Sequence, residues 1–246
     1  MVQQALWLAK KELRSNWVPL IFTAIVTVFF ALFSIVLLEQ ASRKLFGTET
    51  MYYNDFLLDI MFVGLTPSLA AIFMQGPYLS FRTVTEDTFS KRMALLRSLP
   101  IPVNVLALSR TFTMLATLLI MSSIFYIVIV IGLSNSFFQF LSTTELMMFI
   151  LIWFGYSLAL GGVNPFIEYG TNGKILHLTP FIFLGAFITT MIIFRQIFEH
   201  SIVEWSLLLV KDYGWMIALI SVVIGFIGCY VWNTLLKYRL DKRDYL

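Results

Sequence analysis

Few residues in this chain have the types and spacing that catalysis or metal binding requires. Its two histidines, His177 and His200, do not form the HExxH pattern that places two zinc ligands on one helix face. Glu199, His200 and Glu204 are close enough in sequence to bind a metal together, but we favour a water-facing surface for them. No set of nucleophile, base and metal ligands emerges. We therefore predict that the chain carries no cofactor and is not itself an enzyme.

One glycine-containing segment, residues 170–174 (GTNGK), is superficially similar to a phosphate-binding loop. A loop of that kind needs the spacing GxxxxGK followed by Ser or Thr, because the hydroxyl binds the magnesium ion. The spacing is absent, and Ile175 follows the lysine. The chain is therefore not expected to hydrolyse ATP by itself.

The most polar segment deep inside the chain, residues 85–102, has the features of a short capped helix. Thr85 is a suitable N-cap, acidic residues follow it, and basic residues lie towards the C-terminal end, which matches the helix dipole. Two prolines, the first of them Pro100, prevent the helix from continuing. We therefore predict a helix at about residues 86–98.

Three apolar residues of this helix, Phe89, Met93 and Leu96, fall at positions i, i+4 and i+7. They form one apolar stripe on an otherwise charged rod, and the stripe must pack against something. Two interpretations fit the composition: a helix lying on the membrane surface, and a helix docked into a groove of another protein. The stripe alone favours neither.

Composition assigns the chain to the integral membrane proteins. Hydrophobic residues make up 59% of its 246 residues, charged residues only 13%, and the mean hydropathy is +0.85. The single cysteine, Cys229, excludes an intramolecular disulfide and is best explained as a small packing residue. The net charge of +3 gives no reason to expect nucleic acid binding.

The apolar runs predict an all-helical membrane fold with one transmembrane domain over residues 1–246. An amphipathic interfacial helix is expected at residues 2–16, where Trp7 suits the headgroup level. Apolar runs of about the length that crosses a bilayer follow it. The six expected spans are about residues 17–38, 56–75, 104–132, 145–168, 178–194 and 215–236.

Residues 195–214 are too charged to cross a membrane and too apolar for a simple loop. We expect two short re-entrant helices here, dipping into the outer leaflet before the last span. They would form a lid on the pathway.

Three ionisable residues lie at or near the ends of spans: Asp59, Arg110 and Glu168. Ionisable side chains at membrane depth are functional by default, which makes these three candidate pathway or gate residues. The competing interpretation, which we favour for the two carboxylates, is ordinary anchoring at the interface. Arg110, at the inner edge of its span, can either snorkel to the interface or pair with a carboxylate.

The distribution of basic residues orients six spans. If both termini are cytoplasmic, 13 of the 17 Lys and Arg residues lie in cytoplasmic segments. The other four are Arg43, Lys44, Arg195 and Lys211. The positive-inside rule therefore places both ends in the cytoplasm.

The order of these parts resembles the ABC-2 type family of ABC-transporter permeases. These proteins have an N-terminal interfacial helix, six spans, a long first cytoplasmic loop and a re-entrant hairpin before the last span. In that family an acidic residue, a short helix with a leucine-rich turn, Ser/Thr-x-Pro and a basic residue at the foot of the third span recur at one place. The matching positions here are Glu86, Leu95-Leu96, Ser98-Leu99-Pro100 and Arg110. The chain departs from the pattern at Pro102-Val103-Asn104, where the family often has Ser-Arg or Ser-Lys after the proline.

The resemblance implies that the polar helix is a coupling helix seated in a groove of a separate ABC ATPase subunit, which binds ATP and magnesium. The residues that it assigns to this contact are Glu86, Phe89, Arg92, Met93, Leu96 and Arg97. It also implies a second permease copy, forming a homodimer in the surrounding membrane lipid with the substrate path between the subunits.

The function implied is the permease subunit of an ATP-driven exporter in a bacterial cell membrane, moving amphipathic or hydrophobic peptides or antibiotic-like compounds. Small peptide exporters, including those for phenol-soluble modulins, are the family members most similar in size and layout. The aromatic surface of the spans and their few buried charges agree with such cargo. The alternative is a non-transport immunity or scaffold protein that binds a toxic peptide without ATP.

Overall fold

The computed structural model describes residues 1–47, 53–80 and 82–243, and within these ranges every regular element is a helix. In chain order the elements are α1 (Val2–Ser15), α2 (Trp17–Phe46), α3 (Asp55–Asp59), a π-helical segment (Ile60–Leu65), α4 (Thr66–Ser68), α5 (Gly76–Leu79), α6 (Thr83–Glu86), α7 (Thr88–Arg97), α8 (Val103–Gly132), α9 (Asn135–Phe138), α10 (Thr143–Gly161), α11 (Val163–Gly170), α12 (Gly173–Phe198), α13 (Ile202–Tyr213) and α14 (Trp215–Lys242). The predicted all-helical class is confirmed.

Five helices in the described ranges are long and apolar enough to cross a membrane: α2, α8, the pair α10–α11, α12 and α14. This is the pattern of a multi-pass membrane protein. Each of these helices extends beyond its predicted apolar span. Helix α2, for example, continues through residues 39–46, about half of the segment between the first two expected spans; residues 48–52 of that segment lie outside the described residues.

The second expected span, residues 56–75, is helical only as far as Ser68. Residues 55–68 form a helix about 21 Å long at about 1.5 Å per residue, which is shorter than the roughly 30 Å thickness of the bilayer core. The chain then continues as turns through residues 69–72, which are buried inside the protein. Non-helical backbone is tolerated at membrane depth only where protein covers it.

The broken helix is anchored by an aromatic core. The ring of Phe62, in the π-helical segment, has its centroid 5.9 Å from Phe125 of α8. It lies 5.3 Å from Phe149 and 5.2 Å from Trp153, both on α10. All four side chains are buried, and edge-on aromatic pairs of this kind contribute about 0.5–1.5 kcal/mol each beyond their buried area.

Polar contacts define two ends of the bundle. At the first, which we name the α7 end, Arg92 of α7 pairs with Glu12 of α1 at 3.0 Å. Arg97 of α7 donates to the carbonyl of Leu240 near the end of α14 at 2.6 Å. At the opposite end, which we name the α13 end, Lys44 of α2 pairs with Glu204 of α13 at 2.7 Å. The N-terminal helix and the C-terminal end of α14 therefore lie at the same end.

The segment 195–214 contains one helix of its own, α13, where two short helices were expected. Its first part belongs to α12, which continues to Phe198 and ends at Glu199, a residue with φ of 60°. A new helix then starts at Ser201, whose side chain accepts from the backbone of Glu204 while the Glu204 side chain accepts from Ser201. This capping box explains why α13 begins where it does.

Close packing of α10 on α14 gives a first prediction. A Cβ placed on Gly225 of α14 would lie 2.7 Å from the carbonyl oxygen of Gly155 in α10, whereas one placed on Gly185 of α12 meets nothing within 4 Å. Gly225→Ala should therefore destabilise the protein by about 1–3 kcal/mol through overpacking. Gly185→Ala should leave it unchanged or slightly more stable. Thermal unfolding in detergent measures both, and equal effects would contradict this account of the interface.

Candidate functional site

The most unusual group at the α7 end is a buried carboxylate. Glu12 lies on α1 at i+7 from Ala5 and i+3 from Ala9, and these three residues are the buried face of the helix. Their small side chains let α1 approach α8 closely, so that Glu12 enters the protein only 5% exposed. A buried carboxylate needs positive partners and hydrogen-bond donors.

Two arginines provide the charge. The Nη1 atom of Arg110, on α8, pairs with Oε2 of Glu12, and this guanidinium is itself only 2% exposed. The Nη1 atom of Arg92, on α7, pairs with Oε1 at 3.0 Å from a half-exposed position. Glu12 therefore joins three helices, one through each oxygen and one through its own backbone. The sequence-based expectation that Arg110 can pair with a carboxylate agrees with this contact.

Two hydroxyl groups complete the shell around Glu12. Tyr169 of α11 donates to Oε1 at 3.1 Å and accepts from Arg110 at 3.0 Å, and its ring lies 4.5 Å below the Arg110 guanidinium carbon. Thr113 of α8 donates to Oε2 at 3.3 Å. We name Glu12, Arg92, Arg110, Tyr169 and Thr113 the charge cluster.

Glu168 lies beside the charge cluster. It accepts a hydrogen bond from the hydroxyl of Tyr78, whose pKa is held well above its usual range by burial and by the nearby carboxylate, so that Tyr78 remains a donor. Glu168 and Arg110 both line a cavity of about 30 Å³. Among the described residues Nε and Nη2 of Arg110 have no hydrogen-bond partner. Two of the three candidate gate residues are thus brought together here.

The helix α7 is fastened to the bundle by its apolar stripe. Phe89 and Met93 are 3% and 0% exposed, and Leu96 is partly buried beside them. The surface that covers the stripe is formed by residues of the membrane helices, namely Leu106, Ala107, Tyr169, Leu176, Leu236 and Leu240.

The contact with an ATPase subunit assigned from the sequence stays a prediction, but this packing limits which of its residues a partner can reach. Phe89 and Met93 point towards the chain's own helices, because those helices offer an apolar surface of matching length. They are therefore not on the side that a partner can reach. The opposite side of α7 exposes Thr88, Lys91 and Leu95, and Leu95 is 67% exposed. Any contact with a partner falls to this side.

The start of α7 also differs from the prediction. The N-cap is Asp87 in place of Thr85: its side chain accepts from the backbone of Ser90, and its backbone is left-handed with φ of 44°. Asp tolerates this conformation better than most residues. Glu86 consequently lies in the separate turn α6, where it pairs with Arg82 at 2.5 Å on the surface.

A second fastening joins α7 to the C-terminal end of α14. The Nη2 atom of Arg243 contacts Asp87 at 3.3 Å and Ser90 at 2.6 Å, and its Nη1 atom donates to the carbonyl of Tyr169 at 3.2 Å. Arg97, the other arginine assigned to a partner, donates to the carbonyls near the end of α14. Both ends of α7 are thereby held to membrane helices.

An apolar cavity of about 390 Å³ lies in the membrane part of the bundle. It is bordered by the broken second helix, α11 and α12, with Phe30, Pro67 and Phe187 among its apolar walls. Polar groups are few and include Ser68, Asn164 and Thr179. Most small-molecule sites in proteins have this size and composition.

At the α13 end the buried carboxylates have structural partners. Asp59 accepts the backbone N–H groups of Val203 at 2.9 Å and Ile202 at 3.1 Å, so it caps the first turn of α13. This accounts for its burial, and its contacts lend no support to the pathway role considered from the sequence. Glu204 accepts from Lys44 and from Tyr53, each at 2.7 Å.

Sequence reasoning missed Glu12 and Tyr169. It also expected Glu204 to face water, which is wrong: Glu204 is 0% exposed, because Lys44 and Tyr53 satisfy its carboxylate inside the protein. The signal for Glu12 was present, since Ala5, Ala9 and Glu12 share one face of an amphipathic helix and a lone acid on a small-residue face implies a partner. No short-range pattern pointed to Tyr169, because its partners lie far away in sequence.

Comparison of the chain with protein-family models, with curated proteins and with solved structures gives no match.

Glu204 gives a prediction of pH dependence. Burial raises the pKa of its carboxyl group, but hydrogen bonds from Lys44, the Ser201 N–H and Tyr53 outweigh burial and hold the pKa below its ordinary value. Such a group stabilises the folded state above its unfolded pKa of about 4.3 and loses this contribution as the pH falls through the folded value. The difference in melting temperature between wild type and Glu204→Gln should therefore be large at neutral pH and shrink below about pH 4.

The matched control for that measurement is Glu199→Gln, because Glu199 is exposed and lies five residues away. The melting temperature of Glu199→Gln should differ little from that of wild type at every pH. A Glu204→Gln difference that stays constant from neutral pH to the acid limit would contradict the role given to the carboxylate.

Proposed function

We propose that the chain is the membrane subunit of an ATP-driven exporter of the ABC-2 type, working with a separate ATPase subunit. The observation that carries the proposal is the seating of α7. This short helix lies outside the membrane helices, is fastened to α1, α8, α11 and α14, and leaves one side exposed. A partner that moves the exposed side of α7 would therefore also move the four helices α1, α8, α11 and α14.

Six crossings with both termini in the cytoplasm belong to this proposal. Helix α1 and the C-terminal end of α14 both lie at the α7 end, which requires an even number of crossings between them. Between Asp59 and Tyr78 the chain also passes from the α13 end to the α7 end. Asp59 accepts from Val203 at the α13 end, and the ring of Tyr78 lies 5.9 Å from that of Phe89 at the α7 end. The broken second helix and its buried turns would then add one crossing to the five long helices, which gives six in total. The excess of basic residues at the α7 end favours the cytoplasmic side for that end.

The apolar cavity supports a hydrophobic or amphipathic cargo, either a peptide or an antibiotic-like compound. It offers aromatic and aliphatic walls with a few hydroxyl and amide groups, and none of the described residues that line it is charged. A second copy of the chain, which the proposal includes, would extend this surface, since much of α12 beside the cavity is exposed in the single chain.

A second candidate function, a membrane immunity or scaffold protein that binds a toxic peptide without ATP, uses the same cavity. The two candidate functions differ in whether they need the exposed side of α7. An exporter needs this side for an ATPase, whereas a peptide-sequestering protein does not. Purification of the tagged chain from native membranes, followed by measurement of associated ATP hydrolysis, distinguishes them.

The prediction concerns Leu95, the large apolar residue on the exposed side of α7. Leu95→Asp should leave the protein folded and inserted, because the Leu95 side chain is 67% exposed, but it should weaken binding of the ATPase subunit at least tenfold. Loss of a central interface residue commonly costs on the order of 1–4 kcal/mol. The matched control is Leu79→Asp, since Leu79 is 65% exposed but lies outside α7. The readouts are co-purification of the ATPase subunit and peptide-stimulated ATP hydrolysis.

Phe89→Ala should behave differently, because Phe89 packs inside the chain. It should lower the stability and the membrane abundance of the protein by removing a buried aromatic, at a cost of about 3–5 kcal/mol. If Leu95→Asp binds the ATPase subunit as well as wild type does, α7 is not the coupling helix.

A further inference from the structure

We propose that the exposed face of α1 binds the headgroups of anionic phospholipids. This inference goes beyond the proposed function and does not depend on it, because it concerns the outer side of the helix whose inner side carries Glu12. It is argued from how α1 distributes its charges and its apolar residues around its axis.

The charges of α1 are sorted by burial. Its acid, Glu12, is buried and is neutralised by Arg92 and Arg110. Its three basic residues, Lys10, Lys11 and Arg14, are exposed, and none forms an ion pair with a carboxylate of the described residues. All the charged residues that α1 exposes are therefore basic, although the helix contains an acid.

The helix also has an apolar edge that marks its membrane side. With successive residues about 100° apart, Gln3, Trp7, Lys10 and Arg14 lie on the side opposite the buried stripe. Val2 and Leu6 lie on one flank of this side and are exposed. Gln4 and Lys11 lie on the other flank. An exposed apolar flank next to a basic stripe is the arrangement of a helix in the plane of the interface, with its cations at the level of the phosphates.

The tryptophans of this region are also consistent with a position at the level of the lipid headgroups. Trp7 and Trp17 are both exposed, and the Nζ atom of Lys11 lies 5.3 Å from the centre of the Trp7 ring. Tryptophan favours the headgroup region because its ring is apolar and its N–H is polar. Basic residues next to it gain about 1 kcal/mol each from an anionic surface, and a zwitterionic surface does not supply this attraction.

Binding at this face has a structural consequence. Lys10 and Arg14 on the outer side lie within two residues of Glu12 on the inner side. Anionic lipid would hold α1 in the interface plane and so fix the position of the carboxylate that Arg92 and Arg110 share. The lipid composition would then influence the charge cluster without contacting it.

The test is lipid binding to the purified chain, measured by native mass spectrometry during titration with phosphatidylglycerol and, separately, with phosphatidylcholine. The variant is Lys10→Gln with Arg14→Gln. The control, Lys91→Gln with Lys237→Gln, removes the same charge from exposed positions on α7 and α14. Lys10→Arg with Arg14→Lys keeps the charge on α1.

Wild type should prefer phosphatidylglycerol over phosphatidylcholine. The α1 double variant should lose about fivefold in phosphatidylglycerol affinity per charge removed, about 25-fold in total. The control and the charge-conserving variant should retain the preference. The proposal is overturned if wild type binds both lipids equally, or if the α1 variant loses no more than the control does. Neither readout involves an ATPase, so failure here leaves the proposed function standing, and the reverse also holds.

Discussion

The arrangement of the α7 end depends on the pairing of one buried carboxylate with two arginines. Glu12 is taken out of water by the small-residue contact between α1 and α8, and this is favourable only because Arg110 and Arg92 reach it from two other directions. Removing Glu12 would leave Arg110 as an uncompensated buried charge. The position of α7 is thus set by electrostatics as well as by its apolar stripe, and the three helices are held in one relative arrangement.

The two ends of the bundle use buried carboxylates for different tasks. At the α13 end Asp59 and Glu204 cap and anchor one outer helix, and their partners lie in α13, in α2 and at Tyr53. At the α7 end Glu12 joins elements from separate parts of the chain. The apolar cavity lies between these ends, in the region where the second helix breaks. An α7 end held by ion pairs, next to an open apolar cavity, is the arrangement that our functional proposal requires.

Much of the fold was predictable because its signals are local. Apolar runs located the five long helices, and the prolines after residue 98 ended α7. The break after Ser68 was missed, since it depends on other helices covering the turns that follow. The sequence also did not show that Phe89 and Met93 pack against the chain's own helices. Spacing shows that residues share a face, but only the tertiary structure shows what that face meets.

A double-mutant cycle between Glu12 and Arg110 tests the central claim most directly, with the free energy of unfolding measured by reversible denaturant titration in bicelles. Glu12→Leu should cost about 3–5 kcal/mol, because it strands the buried Arg110. Arg110→Met should cost less, since Arg92 still faces the carboxylate. The double variant should be more stable than the sum of the singles predicts by at least about 1.5 kcal/mol. Effects that add within about 0.5 kcal/mol would show that Glu12 and Arg110 are not energetically linked.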